Sequence, residues 1–399
     1  MLVFSTYPVR APRGGGAKRA RAIVEAYGGR FSDVAHLAVF DPRAHAAAAP
    51  TDVAVPQQVI DGFARYPHSD DVAIGHAIVD EPVVRDSVAA FLRDFQPDVI
   101  HLEQPFGWIG LGPLLRQLGQ APRIVFGSAN VEAPLREAVL RDSRVSESEI
   151  ARIVGEIRDL ERELSRSCDL LAACTPADLE AHRAMGAERT VLAPNGMAPL
   201  RPTVESTAAW RSRLSGTGAK RTALFVGGAH QPNWIGLNEL IGTGLGFMGA
   251  DERLVVAGGI GEHLRNWFKA RPMEIETATF PLRGIGLGEL DEVDLQGLIA
   301  AVDVILLPIS VGGGSNLKTA EAILADKPVV ATSVALRGFE WFADFPNVRV
   351  ADSRHDFQQA MVAAFRAEPV PRTAAQRAQA QTVTWEQCLA ALVEAVASL

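Results

Sequence analysis

Short unbroken apolar runs alternate along the chain with longer stretches in which apolar residues recur every third or fourth position. Residues 2–5, 34–40, 123–126, 170–173, 191–193, 222–226, 254–257, 304–307 and 329–331 are runs of the first kind, apolar but for Ser5, His36, Arg123 and Thr222. Apolarity on both faces is what a strand buried inside a parallel sheet requires. A strand also opens at 97–101, and 348–350 reads as a shorter one. Helical spacing marks 17–26, 81–95, 146–167, 357–365 and a final stripe of Trp385, Leu389, Leu392, Val393 and Val396. In 146–167, Ile150, Ile153, Val154, Ile157, Leu160 and Leu164 share one face with charges opposite, the pattern of a helix covering a core. Thr175-Pro176 before Asp178 reads as a helix start, and the Ala-rich stretch 41–56 as a loop. Strand and helix alternate in both halves, so the chain is expected to be α/β, with two doubly wound domains built on mainly parallel sheets. Pro194-Asn195-Gly196 is a turn signal at the midpoint, and the rhythm restarts at residue 222 without any internal repeat.

One stretch organises the rest. Residues 303–339 read DVILLPISVGGGSNLKTAEAILADKPVVATSVALRGF: a buried strand ended by Pro308, a Gly312-Gly313-Gly314 turn, a helix with Ser315 or Asn316 as N-cap, then the next strand after Pro328. A glycine turn feeding a helix offers unpaired amides and the positive end of a helix dipole. Lys318 in the first turn adds a full charge, which makes a diphosphate a natural occupant. Glu321, three residues on, lies on the same face, where its carboxylate can accept two hydrogen bonds from the cis-diol of a ribose. The plainer alternative is a simple turn followed by two solvated charges.

Over some thirty positions this string resembles the donor motif of family-4 glycosyltransferases of the GT-B fold, in a subgroup reading roughly P-x-x-x-G-G-G-S-x-x-K-x-x-E-A. The resemblance implies two Rossmann-like domains facing across a cleft: 1–195 on the acceptor side, 196–382 on the donor side, and a helix at 383–399 crossing back to the first. It implies donor contacts from Gly15, Gly16, Gly228, Asn233, Glu289, Gly313, Gly314, Ser315, Asn316, Leu317, Lys318, Thr319 and Glu321. Acceptor contacts would come from Arg19, His101, Glu103 and Asn130, with Glu103 and Glu132 as candidates for a catalytic carboxylate. A lone histidine at a strand end is also compatible with a purely structural role. Three positions depart from the family pattern: Gly313 replaces the first of two paired glutamates, Ala129 replaces a histidine, and Pro232-Asn233 stands where an Arg and a Lys often clamp the diphosphate.

Composition narrows the partners. The chain has 399 residues, net charge −8 and a pI near 5.7, which argues against a general nucleic-acid binder. Arg10, Arg13, Lys18, Arg19 and Arg21 nonetheless make the N-terminal end locally basic, so peripheral contact with a membrane face stays open beside a merely solvated role. Cys168, Cys174 and Cys388 are too few for a disulfide framework or a zinc site. With no secretory pattern at the N-terminus and no apolar run of spanning length, a cytoplasmic protein is expected. The resemblance to family 4 implies transfer of a sugar from a nucleotide-diphosphate-sugar to a hydroxyl of a glycan, lipid-linked or small-molecule acceptor, with retention and without an essential metal or other cofactor. The rivals are a sugar-nucleotide epimerase on the same fold and a weakly catalytic sugar- or nucleotide-binding protein.

Overall fold

The computed structural model describes residues 1–399 except 11, 13, 48, 271–279, 313 and 314. The chain divides into two compact units: Met1–Asn195 with Cys388–Leu399, and Gly196–Gln387.

The first unit holds β1 (Leu2–Ser5), β2 (Ala35–Phe40), β3 (Asp52–Ala54), β4 (Val99–Glu103), β5 (Arg123–Ser128), β6 (Leu170–Ala173) and β7 (Thr190–Leu192). They form one parallel sheet in the order β3-β2-β1-β4-β5-β6-β7. Leu2 lies opposite Ala35 on one side and Ile100 on the other. The strand order reverses between β1 and β4, and the loops leaving the carboxyl ends of strands at such a switch point form the ligand crevice of a doubly wound sheet. The stretch 41–56, expected as a loop, contains β3: its three residues pair with Ala38, Val39 and Phe40 at the sheet edge, too short a strand to show a period.

Leu2, Phe4, Leu37, Val39, Ile100, Leu102 and Phe126 are fully buried against Val84, Val88 and Leu92 of the helix Pro82–Phe95 and Leu111 and Leu115 of the helix Trp108–Leu118. Burial of each such side chain stabilises by about 1.5–3 kcal/mol. The helix Glu147–Ser167 begins where Ser146 caps it by accepting from the Glu149 amide, and its apolar stripe packs with Tyr66, Phe106 and Leu140. Thr175 caps the helix Pro176–Met185 in the same way, through the Asp178 amide. Two further helices, Asp70–Asp80 and Glu132–Asp142, had no clear period in the sequence.

The second unit holds β8 (Arg221–Val226), β9 (Glu252–Ala257), β10 (Gly284–Gly286), β11 (Val304–Leu307), β12 (Val329–Ala331) and β13 (Val348–Val350), all parallel, in the order β10-β9-β8-β11-β12-β13. Its switch point falls between β8 and β11. The unbroken apolar run of β11 has a simple cause. Ile305 and Leu307 face a core containing Leu224, Val255 and Leu298, while Val304 and Leu306 face the other side of the sheet with Phe225, Phe357 and Met361. The helix after β8 begins at Gln231, with Pro232 in its first turn, where a missing N–H costs nothing. Gly236 lets this helix press onto the chain leaving β11: a β-carbon there would lie 1.9 Å from the Pro308 carbonyl oxygen. Among the described residues no helix is long and apolar enough to cross a membrane.

Candidate functional site

The loops at the two switch points carry most of the residues singled out in the sequence. After β11, the helix Leu317–Ala325 starts at Asn316, whose side-chain oxygen accepts from the Lys318 amide at 3.3 Å. The Asn316 carbonyl takes the Thr319 and Ala320 amides at 3.0 and 3.3 Å. The Lys318, Thr319 and Ala320 amides are therefore already engaged, and within this turn the positive charge on offer to an anion is that of a side chain. Lys318 is suited to that. Its ammonium has no hydrogen-bond or ion-pair partner among the described residues, and burial pulls it down to about 8, with the Glu321 carboxylate offsetting part of the shift.

Lys318 and Glu321 line one small cavity with Leu224 and Val226 of β8, Ile305, Leu306 and Leu307 of β11, Ile299 and Ala322. Their spacing of three residues on one helix accounts for the shared face. The cavity holds about 10 Å³, room for one water. Thr319 is fully buried and donates to the Ala335 carbonyl at 2.5 Å, so it fastens the helix to the loop after β12. Ser315 is buried and Leu317 half-buried. Gly313 and Gly314 lie outside the described residues, as does Arg13. Asn233, expected to touch donor, is buried and donates its amide to the Gly228 carbonyl at 2.8 Å, which makes it a staple of the turn after β8. Glu289 is exposed in the loop after β10.

In the first unit the glycine loop after β1 leads into the helix Gly15–Gly28, with Gly14 at φ 86° as its N-cap. Gly15 is exposed; a β-carbon at Gly16 would lie 2.7 Å from Tyr7 Oη, a buried hydroxyl without a partner among the described residues. Arg19 does not join a basic surface. It is 1% exposed, donating Nε to Glu103 Oε1 at 2.7 Å and Nη1 to the Ala193 carbonyl at 2.9 Å and Asn195 Oδ1 at 3.2 Å. The reason is its position on the sheet-facing side of the helix, beside Ala20 and Ile23, where a buried guanidinium must be paired. His101 and Glu103, two apart on β4, share a face: His101 Nε2 lies 3.1 Å from Glu103 Oε2, and Tyr27 Oη 2.8 Å from His101 Nδ1. Burial works to raise the Glu103 carboxyl, but Arg19 and His101 outweigh it and hold it below the usual carboxylate range. These three residues, read as acceptor contacts, are engaged with one another and enclosed.

Asn130 is half-buried and donates to Glu132 Oε1 at 3.2 Å. Burial lifts Glu132 to about 7, against the pull of Arg136. Glu161, which the sequence reading passed over, accepts the Glu132 and Ala133 amides at 2.6 and 3.1 Å and so caps the helix Glu132–Asp142 from a neighbouring helix. Its signal was present: position 161 falls four after Ile157 and three before Leu164, a carboxylate inside an apolar stripe. Among the described residues no group of three or more His, Cys, Asp or Glu side chains is arranged to hold a metal ion.

Solved structures with the same two-unit architecture span the whole chain. HepE of Anabaena, in complex with UDP, superposes with a TM-score of 0.63 at 15% identity, covering 100% of both chains. Sucrose-phosphate synthase of Thermosynechococcus elongatus gives 0.69 at 16%, covering 100% of this chain and 98% of that one. WaaG, a glycosyltransferase involved in lipopolysaccharide biosynthesis, gives 0.62 at 15%, covering 98% and 95%. The chain has the GT-B fold. No protein-family model and no curated protein matches the sequence. At such identities the likeness concerns the GT-B fold alone, and the chemistry must be argued from the residues.

Proposed function

We propose that the protein is a glycosyltransferase that moves a sugar, a hexose or a close relative, from a nucleotide-diphosphate-sugar to a hydroxyl acceptor, with retention and without an essential metal. The observation that carries this reading is the Lys318–Glu321 pair: a desolvated ammonium, without an ion-pair partner among the described residues, and a carboxylate lining one cavity at the switch point of a doubly wound sheet. The cavity is too small for a nucleotide, so the donor lies outside it and the flexible lysine reaches out to the diphosphate. There the ammonium stabilises the charge that develops as the bond between anomeric carbon and diphosphate oxygen breaks, a contribution a metal ion otherwise makes. Glu321 accepts from the ribose hydroxyls. Two further facts support the reading: HepE has the same fold and was solved with UDP and with UDP-glucose, and the sequence around Lys318 resembles the family-4 motif. The acceptor, glycan, lipid-linked or small molecule, is expected on the first unit. Half-buried Asn130 is its candidate contact, with the Glu132 carboxylate beside it, since Arg19, His101 and Glu103 are enclosed and engaged with one another.

A thermal-shift screen of nucleoside diphosphates and nucleotide-sugars tests this directly, because a ligand that binds only the folded state raises the melting temperature in step with its affinity. One base series is expected to stabilise the wild type, and Glu321→Ala to weaken both nucleoside and diphosphate. Stabilisation by no member of the panel would remove the assignment. Binding without sugar transfer across an acceptor panel would reduce the protein to a nucleotide-binding module, and product formed without any acceptor would make it an epimerase.

A further inference from the structure

The turn after β8, residues 227–236, contains no lysine or arginine, and the first-turn amides of the helix Leu317–Ala325 are largely occupied by Asn316. Lys318 alone would then face a diphosphate bearing two or more negative charges. A second cation stands nearby. Arg337, in the loop after β12, is half-buried; its Nε is wholly enclosed without a hydrogen-bond partner, and among the described residues its guanidinium makes no ion pair. A β-carbon built at Gly312, where the glycine turn begins, would lie 3.8 Å from Arg337 Nη2.

The loop that carries Arg337 is unusually well tied down. Thr332 donates to the Ile309 carbonyl at 2.5 Å and accepts the Ala335 amide at 3.0 Å, so the loop is fixed to the chain leaving β11. Thr319 donates to Ala335 and fixes it to the first turn of the Lys318 helix. Ser333 bonds Asp352 Oδ1 through both its amide and its hydroxyl, at 2.8 and 3.0 Å. Leu336 and Phe339, on either side of Arg337, are buried in the core. The backbone is thus held on three sides, while the guanidinium beside Gly312 has no partner among the described residues. A guanidinium nitrogen enclosed without a partner is costly, and a ligand that supplies one removes that cost.

We propose that Arg337 is a second diphosphate-binding residue, forming a two-cation clamp with Lys318. The inference rests on the nucleotide-sugar reading above and goes beyond it, by naming a contact from the loop after β12. The planar fork suits a guanidinium to two phosphate oxygens at once, where the ammonium acts as a point charge.

The test is calorimetric titration of UDP, GDP and ADP, with their parent nucleosides, into the wild type, Arg337→Ala, Arg337→Lys and Lys318→Ala. For whichever diphosphate the wild type binds most tightly, Arg337→Ala is expected to weaken binding about ten-fold or more, with the nucleoside unchanged and Arg337→Lys recovering part of the loss. Circular dichroism and melting temperature check the fold of each variant, and Arg337→Gln is read instead if the alanine variant fails to fold. Wild-type affinity in Arg337→Ala or Arg337→Gln, with Lys318→Ala weakened, overturns the role of Arg337 alone. A wild type that binds none of the diphosphates overturns the clamp and the nucleotide reading together.

Discussion

The two units treat buried charge in opposite ways. In the first, Arg19 and Glu103 are both at 1% exposure and are joined at 2.7 Å, with His101, Tyr27, Asn195 and the Ala193 carbonyl in the same network, although Arg19 Nη2 has no partner among the described residues. In the second, Lys318 sits desolvated with no ion-pair partner among the described residues, held close enough to Glu321 for only partial compensation. A charge whose partners come from its own chain holds a structure together. One left without them carries a standing cost that a ligand can remove. The sequence marks both kinds alike, as polar residues beside glycine loops at strand ends, and the partner set tells them apart.

The comparison predicts its own breaking points. The largest effect is expected from Glu103→Ala, which strands the Arg19 guanidinium inside the sheet–helix interface; removal of one member of a buried pair destabilises by about 3–5 kcal/mol, readable as a lower denaturation midpoint. Wild-type stability in that variant would mean the network is not a structural tie. Lys318→Ala is expected to leave stability unchanged or slightly raised, because it removes a desolvated charge, while weakening the preferred nucleoside diphosphate by roughly ten- to a hundred-fold and its nucleoside little. A smaller effect concerns Glu132. Its folded carboxyl is raised to about 7 from an ordinary 4.5, so the folded state holds more protons than the unfolded one between those values. The associated stability is present below pH 4.5 and is lost as pH rises through 7. Glu132→Gln should remove about 2–3 kcal/mol of pH-dependent loss, measured by unfolding at pH 5 and pH 8. An unchanged pH profile would show that Glu132 is not held protonated.

Much of the fold was legible in the sequence, for physical reasons that differ from element to element. β6 and β11 announce themselves because a parallel strand is buried on both faces and must be apolar throughout. β3 does not, being three residues at a sheet edge. The helix Glu132–Asp142 lacks a clean stripe because part of what it buries is polar: its first turn lies on the Glu161 carboxylate. Of the site, Asn316 as cap and the shared face of Lys318 and Glu321 follow from local spacing. The enclosure of Arg19 by Glu103 and Asn195 does not, since those partners lie 84 and 176 positions away. Arg337 escaped for a related reason: the pairing of β11 with β12 and the hydrogen bonds of Thr319 and Thr332 bring its loop beside Gly312.

The central claim is that the Lys318 ammonium receives the diphosphate. Its ligand-free value near 8 makes that testable by titrating the preferred nucleoside diphosphate between pH 6.5 and 9.5, in the wild type and in Lys318→Met. Below pH 8 the lysine is already charged and affinity should be flat. Above it a proton must be taken up on binding, so the wild-type affinity should fall, by up to about ten-fold per pH unit, while the methionine variant binds weakly at every pH with no such fall. A wild-type profile that stays flat through pH 9.5, or one that Lys318→Met reproduces, would contradict the account.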